Sequence, residues 1–337
     1  MSGAAARRAT GLLAEAENKG ELAVVEAAAD RRLFERWLAD DDADKARSRT
    51  LFSPLPGIYV RAAYWRELNP SERHLALLRS VLRRHACWAA SHVSAALLWG
   101  LPVSWNLVGK LHVETSSTLP EGYERGVVRH RLSKDEIGWL EDLQVTSLLR
   151  TLFDCLVTLP FRDALAIADG YLRMTGESRE ELLSKMASRY AGRRCVRRVL
   201  AICGYADGRA ESGGESIARA AMIELGFEVP DLQVEFSDPV DSDRSYRADF
   251  VWHLGSEHMI VGELDGMEKY QLDGNVVEVF ANERKRESRL TATGCSVVRF
   301  GFGDVDGSSD ARLSKLLEAY GVPRGRRPRL VSGVPVA

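Results

Sequence analysis

Cysteine is scarce and never closely paired in this 337-residue sequence: Cys87, Cys155, Cys195, Cys203 and Cys295 form no CxxC spacing, and each sits in an apolar or helical stretch. They read as small apolar side chains or reduced thiols, and a zinc site is not expected. No run of about 18 apolar residues occurs, so no segment is expected to span a membrane. The stretch from Met1 to Arg8 lacks the continuous apolar core of a secretory leader, which leaves the cytoplasm as the expected location. Net charge is only −2, with a pI near 6.4. That excludes a basic field over the whole protein, so any contact with nucleic acid has to come from local patches. A phosphate-cradling glycine loop, a nucleophile elbow and internal repeats are also missing.

What is present is a long, mixed pattern. The length predicts two or three domains. Residues 1–50 place Leu12, Leu13, Leu22, Val25, Leu33 and Trp37 at helical spacing and end in the acidic run Asp40, Asp41, Asp42 and Asp44. Pro54, Pro56 and Gly57 then punctuate a turn running into a short strand. A helix is expected over 70–85, opened by Asn69 and Pro70. A short apolar helix over 91–99, strands over 110–115 and 126–131, a loop at 145–147 and helices over 148–157, 163–174 and 180–202 follow. The stretch 204–214 holds four glycines and reads as a linker. After it the order becomes helix (215–225), three strands (232–236, 248–253, 259–264), helix (282–293) and strand (296–300). The tail from Arg324 to Arg329 is basic, proline-broken and expected to be disordered.

The chemistry concentrates in this last third. Asp249 sits in the apolar strand Ala248-Asp249-Phe250-Val251-Trp252, and Glu263 and Asp265 in Ile260-Val261-Gly262-Glu263-Leu264-Asp265. Glu263 and Asp265 are two apart and so share a face of their strand. The two strands look like hairpin neighbours, which would bring Asp249 across to them. Carboxylates gathered in an apolar sheet repel one another and lose hydration, and a hard divalent cation relieves both costs. Mg²⁺ takes such oxygen ligands and can activate water against a phosphodiester. The alternative is a charged strand end that only blocks edge pairing. Glu215 also has two readings: metal-site participation, or a capping partner of Ser212 at the helix start. The helix over 282–290 carries Lys285, Arg286 and Arg289, either as an exposed ion-paired face or as a phosphate-binding surface in which guanidinium forks suit phosphate.

These motifs, in order, resemble the PD-(D/E)XK nuclease superfamily, in its branch similar to very-short-patch-repair endonucleases. The matching residues are Glu215, Ala248-Asp249-Phe250, Glu263-Leu264-Asp265-Gly266, the basic helix from Glu283 to Leu290, and Val298-Arg299-Phe300. The resemblance implies phosphodiester hydrolysis with Mg²⁺ (or Mn²⁺) held by Asp249 and Glu263, and with Asp265 and Glu215 as further ligand candidates. It places Asp265 where the family has its lysine, so Lys269 or Lys285 would have to supply that charge. Arg286, Arg289 and Arg299 are the candidates for phosphate contact.

The front of the chain carries two shorter motifs. The stretch from Ser91 to Pro102 and the stretch Thr146-Ser147-Leu148-Leu149-Arg150-Thr151-Leu152-Phe153-Asp154 resemble abortive-infection type IV antitoxins of the AbiEi family. Residues 51–65, with the helices before them, look like the wing of a winged helix. By themselves, 91–99 read as a core helix, His92 as a structural histidine rather than a ligand, and Arg150 and Asp154 as an intrahelical ion pair. The expected fold is therefore α+β and multidomain. A winged-helix-like domain (1–75) and an α-rich antitoxin-like domain with a small β element (76–203) precede a linker (204–214). A restriction-endonuclease-like mixed sheet flanked by helices (215–322) and a tail (323–337) follow. The expected partners are DNA and a toxin or defence-system protein. An antitoxin-like regulator with an inactive nuclease fold, and an interaction scaffold without nucleic acid, remain as alternatives.

Overall fold

The computed structural model describes residues 3–39, 51–131, 134–238, 241, 245–255, 258–265, 294–305, 307, 310–325, 329–331 and 334–336. The chain is a mixed α+β protein with two compact units, Met1–Cys155 and Leu156–Ala337. The division falls upstream of the glycine-rich stretch 204–214. Among the described residues no helix is long and apolar enough to cross a membrane.

In the first unit, helices α1 (Gly3–Asn18) and α2 (Ala28–Ala39) accompany a small sheet ordered β1-β3-β2. Its strands are β1 (Ala23–Val24), β2 (Leu51–Leu55) and β3 (Ile58–Arg61). The pattern around Pro54 predicted a turn and one strand; the structure has a hairpin instead. Gly57 makes the reversal at φ 77, a backbone state that glycine enters without a Cβ penalty. The Ser53 hydroxyl lies 2.7 and 2.8 Å from the Leu55 and Ile58 carbonyl oxygens and ties the turn. Helix α3 (Ala62–Glu67) leads into α4 (Pro70–Arg84), whose Asn69 and Glu72 form a complete capping box. Leu78, Val81 and Leu82 of α4 pack into one core with Trp88, Val113, Val127 and Val145.

A five-stranded sheet, ordered β6-β5-β4-β8-β7, supplies the other wall of that core. It contains β4 (Ala89–Ala90), β5 (Leu111–Thr115), β6 (Val127–Arg131), β7 (Ile137–Leu140) and β8 (Leu143–Thr146). Strand β8 corrects the expectation of a loop at 145–147. Two inward residues, Leu143 and Val145, are too short a run to reveal a strand without its partners. Helices α5 (His92–Leu98) and α6 (Leu148–Thr158) carry the two short motifs of this region.

The second unit opens with α7 (Phe161–Thr175), α8 (Arg179–Arg189) and α9 (Val196–Cys203). The helical stretch expected over 180–202 is broken because Gly192 and Cys195 adopt φ 72 and φ 66, where a right-handed helix cannot continue. The 204–214 stretch is packed rather than extended: Ala206 and Ala210 are fully buried, and the Asp207 N–H donates to Asp169 Oδ1 at 2.8 Å. Helix α10 (Gly213–Glu224) follows, then the sheet β12-β11-β10-β9. Its strands are β9 (Asp231–Ser237), β10 (Ser245–Leu254), β11 (His258–Asp265) and β12 (Cys295–Gly301). Neighbours β9, β10 and β11 are antiparallel, and β12 lies parallel to β11.

One face of this sheet presents Phe250, Trp252, Ile260, Val298 and Phe300 to Ala218, Ala221 and Met222 of α10. Helices α11 (Phe302–Val305) and α12 (Asp310–Ala319) close the same core through Val305, Leu313 and Leu317. Gly262 lies tightly beneath Trp252, where a Cβ would sit 3.0 Å from the indole ring and the ring would have to shift. Helix α10 is pinned to α7 by the buried pair Arg219–Asp169 at 2.7 Å. The expected disordered tail instead contains strands β13 (Arg329–Val331) and β14 (Val334–Val336), paired antiparallel. The alternating apolar residues after Pro328 outweigh the basic run before it.

Candidate functional site

The acidic set is built at one end of the β10–β11 pair. The ladder runs from Leu254–His258 to Phe250–Gly262 and stops there. Beyond it the Leu264 N–H donates to Asp249 Oδ2 at 3.1 Å, so a side chain continues the link where the backbone pairing ends. This holds Asp249 beside Glu263, as the hairpin reading expected. Glu263 is only 5% exposed, and a carboxylate so placed needs a counter-charge. Arg299 provides one: it is the register partner of Glu263 on β12, and its Nη2 lies 3.0 Å from Glu263 Oε2. Arg299 Nη1 lies 3.9 Å from Asp265 Oδ1, which places Asp265 on the same face as Glu263. The Asp265 side chain is 42% exposed, so this end of the set is open to solvent.

Glu215 stands in the first turn of α10, where its capping reading is seen. The Ser212 hydroxyl accepts from the Glu215 N–H at 3.1 Å, and the Glu215 carboxylate takes the Glu211 N–H and the Ser212 hydroxyl at 2.8 Å each. Burial pushes the Glu215 carboxyl above the usual carboxylate range. The hydrogen bonds from Glu211 and Ser212 oppose that shift, and the nearby Asp249 charge adds to it. Gln233 Nε2 also donates to Glu215 Oε2 at 2.9 Å. Gln233 itself is held at φ 54, between Leu232 and Val234 in the β9–β10 register and opposite Asp249. A left-handed non-glycine residue costs roughly 1–2 kcal/mol, and such strain concentrates at functional positions. Nothing in the sequence marks Gln233 for this role.

The carboxylates are neighbours without being gathered tightly. Among the described residues, no three of Glu215, Asp249, Glu263 and Asp265 bring their oxygens within 4.8 Å of one another. Lys269, Lys285, Arg286 and Arg289, with the helix expected over 282–293, lie outside the described residues.

A second polar cluster, unexpected from spacing, lies in the first unit, where the two short motifs meet. The Trp99 indole N–H donates to the Thr146 carbonyl at 2.9 Å, tying the end of α5 to the start of the second motif. The expected Arg150–Asp154 ion pair is present at 2.8 Å, but Arg150 does more than that. Its Nη1 lies 2.7 Å from Glu136 and its Nη2 3.4 Å from Glu114. Burial disfavours the Arg150 charge, but Asp154, Glu136 and Glu114 together outweigh it and raise the guanidinium pKa. Burial likewise pushes Asp154 up to about 6, with Arg150 opposing.

Three histidines stand beside this network. His112 and Glu114 are two apart on β5, and His130 of β6 is the register neighbour of Glu114. His92 opens α5 above them. His112 Nδ1 and His130 Nε2 are 3.0 Å apart, and the His92 and His130 rings stack with centroids 3.7 Å apart. Burial first, then the neighbouring imidazoles, pushes His92 down to about 3 and His112 down to about 4. His130 is also lowered, by burial and then by Arg150. His92 holds φ 49, a second left-handed non-glycine residue at a polar cluster. Ser94 of the same helix accepts the His112 N–H at 2.7 Å and bonds His74 Nε2 at 2.8 Å. Since His74 Nδ1 faces the Val108 carbonyl at 3.1 Å, it is the protonated nitrogen, and Ser94 donates to Nε2.

Comparison with known proteins adds little chemistry. The chain is 30% identical over 142 residues to "Uncharacterized protein Rv2248" of Mycobacterium tuberculosis strain ATCC 25618 / H37Rv, a match covering 38% of this chain and 52% of the relative. It matches "Uncharacterized protein MT2308" of strain CDC 1551 / Oshkosh to the same extent. The chain thus spans about half the length of the curated relatives it matches. No family model and no solved structure matches.

Proposed function

We propose that this is a DNA-binding protein whose second unit is a restriction-endonuclease-like domain that cleaves phosphodiester bonds with Mg²⁺ (or Mn²⁺). The observation that carries the reading is the placement of Asp249 beside Glu263 at the end of a mixed sheet, with Glu215 at the start of α10 near enough to feel the Asp249 charge. The order of α10, three antiparallel strands and a fourth strand parallel to the third agrees with the resemblance that the motifs carry. The donor set is all carboxylate, which suits a hard divalent ion. Asp249 and Glu263 would hold it, with Glu215 and Asp265 at its margin. A bound ion supplies charge stabilisation and an activated water. The chain's own contribution is positional: the Leu264 N–H orients Asp249, Arg299 balances Glu263, and Gln233 with Ser212 fixes Glu215. The first unit is the antitoxin-like front end that selects DNA, with the β2–β3 hairpin as the wing of a winged helix.

A second reading has its own observation. Arg299 already neutralises Glu263, and Asp265 occupies the position where the resembling family carries lysine. On that reading the second unit binds nucleic acid without cutting, and the protein is a transcriptional regulator. Incubation of the full chain with supercoiled plasmid, with and without Mg²⁺ or Mn²⁺, separates the two. Metal-dependent cleavage that falls to background in an Asp249→Ala, Glu263→Ala double variant is the expected result. Equal cleavage in both proteins, or none in either, defeats the catalytic reading. A salt-sensitive gel shift without cleavage then favours the regulator, because phosphate contacts weaken steeply with salt.

A further inference from the structure

The imidazole cluster in the first unit is independent of the acidic set. Among the described residues, His92, His112 and His130 are the group whose ligand-type atoms all lie within 4.8 Å of one another. We propose that these three histidines form a binding site for a divalent transition-metal ion of the zinc class. This departs from the expectation that His92 is purely structural and that the chain holds no zinc site. That expectation followed from the cysteines, whereas this donor set is entirely imidazole.

Three features of the surroundings carry the proposal. The first is convergence from separate segments: His92 comes from the start of α5, His112 from β5 and His130 from β6. Zinc sits about 2.0–2.1 Å from each imidazole nitrogen, so tetrahedral ligands stand roughly 3.4 Å apart. The His112–His130 nitrogens, at 3.0 Å, need only a slight opening. The second is the supporting shell. The Ser91 hydroxyl lies 3.2 Å from His92 Nδ1, which leaves Nε2 of that ring as the ligand atom. Such outer hydrogen bonds orient metal-binding histidines. The third is donor chemistry, with the charge of the nearby Arg150, which would oppose a cation, balanced by Glu114, Glu136 and Asp154. Neutral rings present lone pairs, and imidazole donors favour zinc, cobalt, nickel and copper over magnesium. On ion binding the proton between His112 Nδ1 and His130 Nε2 moves to the other nitrogen of the ring that carried it, so both rings stay neutral and two metal–nitrogen bonds replace the hydrogen bond. Three ligands leave a fourth position for water or another oxygen donor.

The test uses the full chain, stripped with a chelator and titrated with Co²⁺. The expected result is a visible absorption band that saturates at one equivalent, is displaced by Zn²⁺ and survives excess Mg²⁺. The band should vanish in His112→Gln and in His130→Gln, and persist in an Asp249→Asn, Glu263→Gln variant that disables the acidic set. His130 is half-buried on an edge strand, so His130→Gln is the variant least dependent on the fold being rebuilt. Imidazole ¹⁵N NMR of the unaltered protein with Zn²⁺ gives an answer that needs no substitution. Three of the seven histidines should shift. Absence of the band, its survival in both histidine variants, its loss in the acidic variant, or ¹⁵N shifts confined to His253 and His258 would each overturn the proposal.

Discussion

The two polar clusters handle buried charge differently. In the first unit, Arg150 has 13% of its side chain exposed and meets three carboxylates, each less than a tenth exposed. In the second, Arg299 meets a buried Glu263 but also Asp265, which is 42% exposed. The closed arrangement joins β5, the 134–136 turn and α6. The open one stands at a sheet end where a further charge can enter. The difference teaches that similar residue types are sealed or left in contact with water according to what packs around them.

The strongest way to break that comparison is to remove each arginine. Arg150→Ala leaves Glu114, Glu136 and Asp154 without their shared cation, and loss of one partner from a buried ion pair costs about 3–5 kcal/mol. Arg299→Ala should cost about 1–3 kcal/mol, because Asp265 can turn to solvent. Urea unfolding of the two variants measures both. Equal losses would show that the acidic set is as closed as the Arg150 network.

Acidification should produce the next effect, and its sign follows from the direction of each shift. His92 and His112 have folded-state pKa values near 3 and 4, below the ordinary 6.5. The unfolded chain therefore binds more protons between these limits, and the stability they contribute above pH 6.5 is lost as pH falls toward 4. Asp154 works the other way. Its value near 6 lies above the ordinary 3.8, so its contribution favours the fold at low pH and fades as pH rises through 6. His74, His85 and His130 are lowered as well, and Asp169 and Glu215 raised, so five imidazoles against three carboxylates predict a net loss on acidification. Unfolding midpoints between pH 7 and 4.5 should fall, and His92→Gln should flatten the slope. A midpoint that rises over this range would show that the carboxylates dominate.

The smallest effect sharpens the comparison at the helix starts. Asn69→Ala and Ser212→Ala each remove an N-cap, at about 1 kcal/mol. Only Ser212 also bonds a carboxylate of the acidic set. Ser212→Ala should thus lower metal-dependent cleavage as well as stability, whereas Asn69→Ala should change stability alone. Cleavage unaffected by Ser212→Ala would confine Glu215 to capping.

Much of the acidic end was legible because its signals are local. The apolar run around Asp249, the two-residue spacing of Glu263 and Asp265, and the Ser212–Glu215 spacing each lie within one element or its cap, and the elements appear over 213–224, 231–237, 245–254, 258–265 and 295–301. The contact between Arg299 and Glu263 was not legible, because it depends on β12 lying parallel to β11 in one register. Gln233 was missed for a similar reason: its left-handed backbone serves a bend in pairing, and glutamine has no propensity that announces one. The Arg219–Asp169 pair, fully enclosed between α10 and α7, was not legible either, because no local spacing links residues 50 apart.

The sequence by itself determined which segments could be helix or strand, where caps and turns fall, and which carboxylates share a strand face. These follow from periods of a few residues and from single-residue backbone preferences. Only the tertiary structure decided which distant residues meet. Strand register places Glu114 beside His130, and helix packing sets His92 over both. Whether a charge is enclosed, as at Arg150, or left open, as at Asp265, depends on those long-range contacts, because burial is a property of the neighbours and not of the residue.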